Sequence, residues 1–255
     1  GDKLEGIGSL QINSELALVA NVLLETDTTR NETIITGSPG GVALEEMTTG
    51  AFSGLKWGGG YSTDIVLLNP HDERITGELS FFDPDGEAVE ITGADSPSVA
   101  YQIAPGGHFL LRQSASSIWP KQVYAVVESD DPMPSGGGIL SLRNESLLVS
   151  QTMIPLRATT HYAWVSVDTL PSLIRHGKTQ QTFSIANPTR SPATLRFTLF
   201  NTLGTEQGRF EQVLPRYREQ AFSLADLFNV KEFQGVVRLW SDAVISLNAS
   251  RVTQS

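Results

Sequence analysis

The chain has no cysteine, so disulfides, thiolate zinc sites and cysteine nucleophiles are excluded. No apolar run approaches the roughly 18 residues that would cross a bilayer as a helix. Charged residues are only 18% of the 255 residues, against 40% hydrophobic, a globular balance with enough chain for one large or two ordinary domains. The first residues, Gly1-Asp-Lys-Leu-Glu-Gly6, lack a basic-then-apolar pattern, so any secretion signal is expected to lie outside this stretch.

Catalytic spacing is missing too. His71, His108, His161 and His176 form no His-x-x-x-His pair, and no Gly-x-Ser-x-Gly elbow exposes a serine. Gly58-Gly-Gly60 and Gly136-Gly-Gly138 are not followed by Lys-Ser/Thr and a helix, so they read as turns rather than phosphate loops. No catalytic residue is assigned, and the expectation is a protein that is not an enzyme. Helical signals are few. Ser223-Leu-Ala-Asp-Leu-Phe228 predicts one or two turns with Ser223 as N-cap, and Ser114-Ala-Ser-Ser-Ile-Trp119 is its proposed counterpart.

Strand signals fill the rest. Short β-branched or aromatic runs at 62–68, 77–82, 99–103, 124–127, 147–154, 162–167, 182–186, 193–200, 235–240 and 244–247 are bounded by Gly, Pro, Asn or Asp. Arg196 and Thr198 alternate with Leu195, Phe197 and Leu199, the period of a half-buried strand.

Part of the chain is written twice. Ile65-Val-Leu-Leu-Asn-Pro70 returns as Phe183-Ser-Ile-Ala-Asn-Pro188, and Leu79-Ser-Phe-Phe-Asp-Pro-Asp-Gly86 returns as Phe197-Thr-Leu-Phe-Asn-Thr-Leu-Gly204. Both pairs are 118 residues apart, a spacing that suits one β-domain and is too long for a solenoid turn. Ile103-Ala-Pro-Gly-Gly matches Val213-Leu-Pro-Arg-Tyr with the spacing shifted. Gly138-Ile-Leu-Ser-Leu reads as a closing segment matched by Gly235-Val-Val-Arg-Leu, with a third relative at Gly8-Ser-Leu-Gln-Ile. The expected parse is an N-terminal partial repeat over 1–50, one β-sandwich repeat over 51–160 and a second over 161–255.

This pattern resembles a tandem β-sandwich repeat of large secreted and cell-surface bacterial proteins. The motifs that carry the likeness are Gly58-Gly-Gly-Tyr-Ser-Thr-Asp-Ile-Val-Leu-Leu-Asn-Pro70, Asp83-Pro-Asp-Gly86, Pro105-Gly-Gly107, Asp226-Leu-Phe228 and Gly8-Ser-Leu-Gln-Ile12. The second copy departs from it at Asn201-Thr-Leu-Gly204 and Pro215-Arg-Tyr217. The resemblance implies an extracellular or cell-surface setting and a structural or adhesive role. The expected fold is all-β: two tandem immunoglobulin-like sandwiches plus an N-terminal strand segment.

Net charge is −10, unevenly spread. Residues 1–50 carry 2 basic and 8 acidic side chains, and 51–160 carry 6 and 13. Residues 161–255 carry 10 and 7, a net +3. Such ends attract in head-to-tail association, whereas scattered basic residues on an acidic chain argue against nucleic acid. The assembly candidates are Leu10, Ile12, Leu16, Leu18 and Val19, apolar strand positions in a segment that lacks the rest of its repeat. No metal or cofactor is assigned. Glu128, Asp130 and Asp131 are the candidate ligands for a calcium ion, against a solvated acidic loop as the competing reading, while Asp83-Pro-Asp-Gly86 reads as a β-turn. Asn31, Asn144 and Asn248 begin Asn-x-Ser/Thr triplets. Trp57, Tyr61, Trp119, Trp164 and Trp240 offer ring faces to sugars, with core packing as the competing use.

Two readings follow. One is a non-catalytic structural subunit, joined to copies of itself or to neighbouring repeats of a longer chain. The other is an adhesion module that binds carbohydrate or a surface.

Overall fold

The computed structural model describes residues 21–27, 33–39, 47–91, 96–114, 117–130, 132–170 and 178–254. They are almost entirely antiparallel strand, in two compact units: residues through Phe81 with Glu90–Leu156, and Phe82–Val89 with Arg157–Ser255. No helix among the described residues is long and apolar enough to cross a membrane.

The first unit contains β1 (Asn21–Asp27), β2 (Thr33–Pro39), β3 (Thr49–Trp57), β4 (Tyr61–Leu68), β5 (Ile75–Phe82), β6 (Ser98–Ile103), β7 (His108–Ser114), β8 (Lys121–Ser129), β9 (Ser135–Asn144) and β10 (Leu147–Pro155). One sheet runs β3–β8–β5–β6 and the other β10–β9–β4–β7. On β4, Thr63, Ile65 and Leu67 are buried while their neighbours are half-exposed, as alternation requires of a strand with one face inward. Trp57 meets Phe81 edge-on at 5.7 Å in the same core. Gly59 and Gly60, at φ 58° and 85°, make the two-residue turn from β3 to β4. Gly58 and Tyr61 exchange both backbone hydrogen bonds across it, each 3.0 Å. Consecutive positive φ values favour glycine, and a Cβ would press on Pro120 at Gly59 and on the Arg143 carbonyl at Gly60, which accounts for the glycine run. The β1–β2 hairpin pairs from Asn21↔Pro39 to Asp27↔Thr33, and Thr26 donates to Gln151 of β10 at 2.8 Å.

The second unit contains β11 (Arg157–Ala158), β12 (Thr160–Asp168), β13 (Lys178–Ala186), β14 (Ala193–Asn201), β15 (Glu206–Leu214), β16 (Glu219–Ser223), α1 (Leu224–Phe228) and β17 (Gln234–Gln254). Residues 234–241 of β17 lie between β12 and β14, and β15 follows β14. Residues 246–254 of the same strand pair with β13, which pairs with β16. A single 21-residue strand therefore serves both sheets. Phe183, Ile185, Leu195, Phe197, Leu199, Val237 and Leu239 fill the space between them. Ser223 is the N-cap of α1, as its sequence predicts, and forms a reciprocal capping box with Asp226. In the proposed counterpart, residues 117–120 are not helical.

The duplication is repeated bond for bond. Asn69 is buried; its Nδ2 donates to the carbonyls of Glu73 (2.7 Å) and Ile103 (3.0 Å), and its Oδ1 accepts from the backbone N–H of His71. Asn187, fully buried, does the same with Ser191 (2.8 Å), Leu214 (3.2 Å) and Thr189. Asp83 Oδ1 accepts from the N–H of Asp85 and Glu87, and Asn201 Oδ1 accepts from those of Leu203 and Thr205. Gly86 and Gly204 close these turns at φ 84° and 75°.

Strand pairing corrects one part of the sequence alignment. Leu68 opposes His108 and Ser135 in the first unit, while Ala186 opposes Glu219 and Ser246 in the second. The partners His108 and Glu219, like Ser135 and Ser246, are 111 residues apart, so the second copy is seven residues shorter past its Gly turn. By this register Gly138 lies in β9, whereas Gly235 starts the part of β17 that takes the place of β8. A glycine before alternating apolar residues suits many strands, so similarity alone equated two different ones.

Candidate functional site

The outer face of the β12–β17–β14–β15 sheet carries rows of side chains set by the register. Tyr162, Trp240, Arg196 and Glu211 form one row. Trp164, Arg238, Thr198 and Arg209 form the next, followed by Ser166, Val236, Phe200 and Glu206. Their sequence neighbours Val167, Phe197, Leu199, Val237 and Leu239 point into the core. Alternation alone thus turns one set of aromatics outward.

Trp164 remains 55% exposed and Tyr162 45%. Their rings meet edge-on at 5.8 Å, and Trp164 lies 5.8 Å from Phe200 with a tilt of 35°. The Arg238 guanidinium lies 5.1 Å from the Phe200 ring and 5.7 Å from that of Trp164, and its Nη2 donates to Thr198 Oγ1 at 3.3 Å. Arg196 covers Trp240 at 4.7 Å and pairs with Glu211 at 2.7 Å. Such cation–aromatic contacts hold the arginine stems flat against the sheet. The hydrogen bond from Arg209 keeps the Glu206 carboxyl below its usual pKa, with smaller help from the charges of Arg209 and Arg238.

Beside Trp164 runs an open groove of about 770 Å3, within the size range of ligand clefts. Trp164, Phe200 and Val236 give it an apolar wall, while Ser166, Asn201, Gln234, Asp168 and Arg251 add polar groups. Asp168 and Arg251 approach to 3.7 Å. In the first unit five consecutive residues of β8, Val123–Val127, are buried, so this strand is covered on both faces. The corresponding part of β17 alternates between buried and half-buried. At this pair of equivalent strands the second unit leaves the sheet face open and the first covers it.

The sequence-named aromatics separate clearly. Trp57 is core at 3% exposure, Tyr61 is half-buried under Lys56, and Trp240 is half-buried under Arg196. Trp119 is exposed beside Ile118 on the turn before β8. Trp164 alone of the five combines exposure with a groove. Nothing local in the sequence marks Tyr162, Phe200 and Arg238 as its companions. Their signal was the alternation of 162–168 and 196–200, but the pairing of those strands with 234–240 was needed to join them.

Glu128 and Asp130 are exposed at the end of β8. The Glu128 carbonyl accepts from Tyr101 Oη at 2.9 Å, and Asp130 Oδ2 accepts from Thr76 Oγ1 at 2.9 Å. Asp131 lies outside the described residues, among which no group of three His, Asp or Glu side chains suits a metal ion. Asn144 is exposed at the turn between β9 and β10, where Glu145 takes φ 54°. Asn248 is half-buried in β17 opposite Ser184. Asn31, His176 and the assembly positions Leu10, Ile12, Leu16, Leu18 and Val19 lie outside the described residues. Of the other histidines, His71 approaches the Met133 carbonyl at 3.4 Å and His161 Nδ1 lies 3.1 Å from that of Ser241.

The chain was compared with protein families, with curated proteins and with solved structures, and none of the three comparisons gives a match.

Proposed function

We propose that this chain is a non-catalytic module of an extracellular or cell-surface assembly, and that its second unit binds glycan on the Trp164 face. The observation that carries the reading is Trp164 itself, a 55% exposed indole at the wall of a groove with hydroxyl, amide and carboxylate groups along it. A ring face stacks on the C–H face of a sugar, and the polar groups meet its hydroxyls. The cell-surface setting rests on the repeat motifs. The antiparallel strands that both copies share, β3–β8–β5–β6 with β9–β4–β7 in the first and β12–β17–β14–β15 with β17–β13–β16 in the second, support reading the sandwiches as immunoglobulin-like.

The test is a glycan array followed by calorimetric titration of the best oligosaccharide. Trp164→Ala is expected to weaken binding about tenfold, or about 1.4 kcal/mol, and to change stability by less than about 1 kcal/mol. Retention of no glycan at all, or equal affinity in the variant, removes this reading.

Head-to-tail assembly of copies is the second reading. It is supported by the charge reversal along the chain and by a hairpin, β1–β2, that reaches β10 at the rim of a sheet. Light scattering of the purified chain is expected to show concentration-dependent growth that deletion of residues 1–48 abolishes. A strictly monomeric protein at high concentration rules it out.

A further inference from the structure

Arg238 occupies an unusual position on this face. Its guanidinium sits against Trp164 and Phe200, both of which wall the groove. The arginines around it are matched: Arg209 with Glu206, Arg196 with Glu211, and Arg251 more loosely with Asp168 at 3.7 Å. Among the described residues Arg238 has no carboxylate within ion-pair distance, and its one side-chain hydrogen bond is the 3.3 Å contact with Thr198. Glu206 is close enough for Arg238 to help hold it ionised, yet its carboxylate is taken by Arg209. A guanidinium has five N–H donors in a planar fork, so most of those on Arg238, a half-buried side chain beside the groove, have no protein partner among the described residues.

We infer that the ligand is an acidic polysaccharide whose uronic acid carboxylates are read by Arg238, with Arg251 as a second anchor along the groove. This rests on the glycan reading of the Trp164 face and names the class of glycan. The fork matches a carboxylate with two parallel hydrogen bonds, while the flanking rings fix the orientation of the fork. An uncharged glycan leaves the same donors to water and gains nothing from them. The charge of the region agrees: residues 161–255 carry a net +3 in a chain of −10. Arg251 contributes because its long contact with Asp168 is exposed and weak, so a sugar carboxylate competes with it.

The experiment is titration of the full chain with oligogalacturonate and with the same oligosaccharide fully methyl-esterified, which keeps the rings and removes the charge. Oligogalacturonate is expected to bind at least tenfold more tightly, and Arg238→Gln to remove most of that difference, leaving the remainder to Arg251 and sparing the weaker binding of the ester. Arg238→Lys, which keeps the charge and loses the fork, is expected to retain only part of the preference. Added salt weakens binding of the acid form and spares the ester, because the screening length falls from about 10 Å at 0.1 M to about 3 Å at 1 M. Should Arg238→Gln fail to fold by circular dichroism, the lysine variant and the salt series on the native chain carry the test. Equal binding of acid and ester overturns this inference and leaves the glycan reading standing. Binding of other glycans but of neither galacturonate also overturns it, and binding of no glycan removes both.

Discussion

Asn69 and Asn187 show how a short polar side chain becomes structural. Each ends a strand before proline, which has no N–H and holds the preceding residue extended. The amide then takes up carbonyls that the ladder has abandoned, one from the turn and one from a strand far along the chain. Alanine at either position leaves buried donors and acceptors without partners, and each such loss costs about 1–3 kcal/mol. Asn187→Ala is expected to lower stability by about 2–3 kcal/mol, more than Asn69→Ala, because Asn187 also reaches the Pro215 carbonyl and the Thr189 hydroxyl. Urea unfolding measures both, and a change below half a kcal/mol would make these asparagines ornamental. Both motifs were legible in the sequence as turns because their spacing repeats. The distant carbonyls were not, since nothing local in the chain specifies a partner 27 or 34 residues away.

At the scale of elements, α1 is too short to hold itself and depends on its cap. Ser223 Oγ accepts from the Asp226 N–H, and the Asp226 carboxylate takes the Ser223 N–H and hydroxyl. Those bonds hold the Asp226 carboxyl below its ordinary value, the Ser223 side chain contributing most. The cap is therefore fully formed above the unfolded carboxylate range and is lost as pH falls through the lowered folded value. Ser223→Ala is expected to cost about 1 kcal/mol at neutral pH and less in acid, as thermal melts at pH 7 and pH 3 would show. A penalty independent of pH would mean that Asp226 does not take part. The capping pattern was readable because it is confined to four consecutive residues. The Trp164 face was only half readable: alternation assigned sides to residues 162–168 and 196–200, but Arg238 joins them through a strand more than 30 residues further on. The alignment of Gly138 with Gly235 failed for the same reason, since strand identity lies in its neighbours.

For the whole molecule, the all-β class follows from punctuation: glycine, proline and asparagine recur too often for helices of ordinary length. What the repeat motifs could not convey is how differently the two copies treat equivalent faces. Strand β8 is buried over five successive residues, while the corresponding part of β17 alternates and leaves rings outside. Duplication preserved the turns and cores, and the open face is where the copies diverged.

Strand β17 has a further consequence for how the second unit comes apart. In the first unit β8 and β9 are separate strands, divided by residues 130–134. In the second, residues 234–241 and 246–254 are one continuous backbone that belongs to both sheets. Opening either sheet displaces the strand on which the other is built, so the two sheets share one opening event. Native-state hydrogen exchange is expected to give the amides of 236–240 and 247–251 a common opening free energy, with no sub-global step between them. Slow amides in one half and fast ones in the other would show that the strand hinges at Asp242. On that expectation the Trp164 face, carried on such a strand, keeps its shape until the whole unit unfolds.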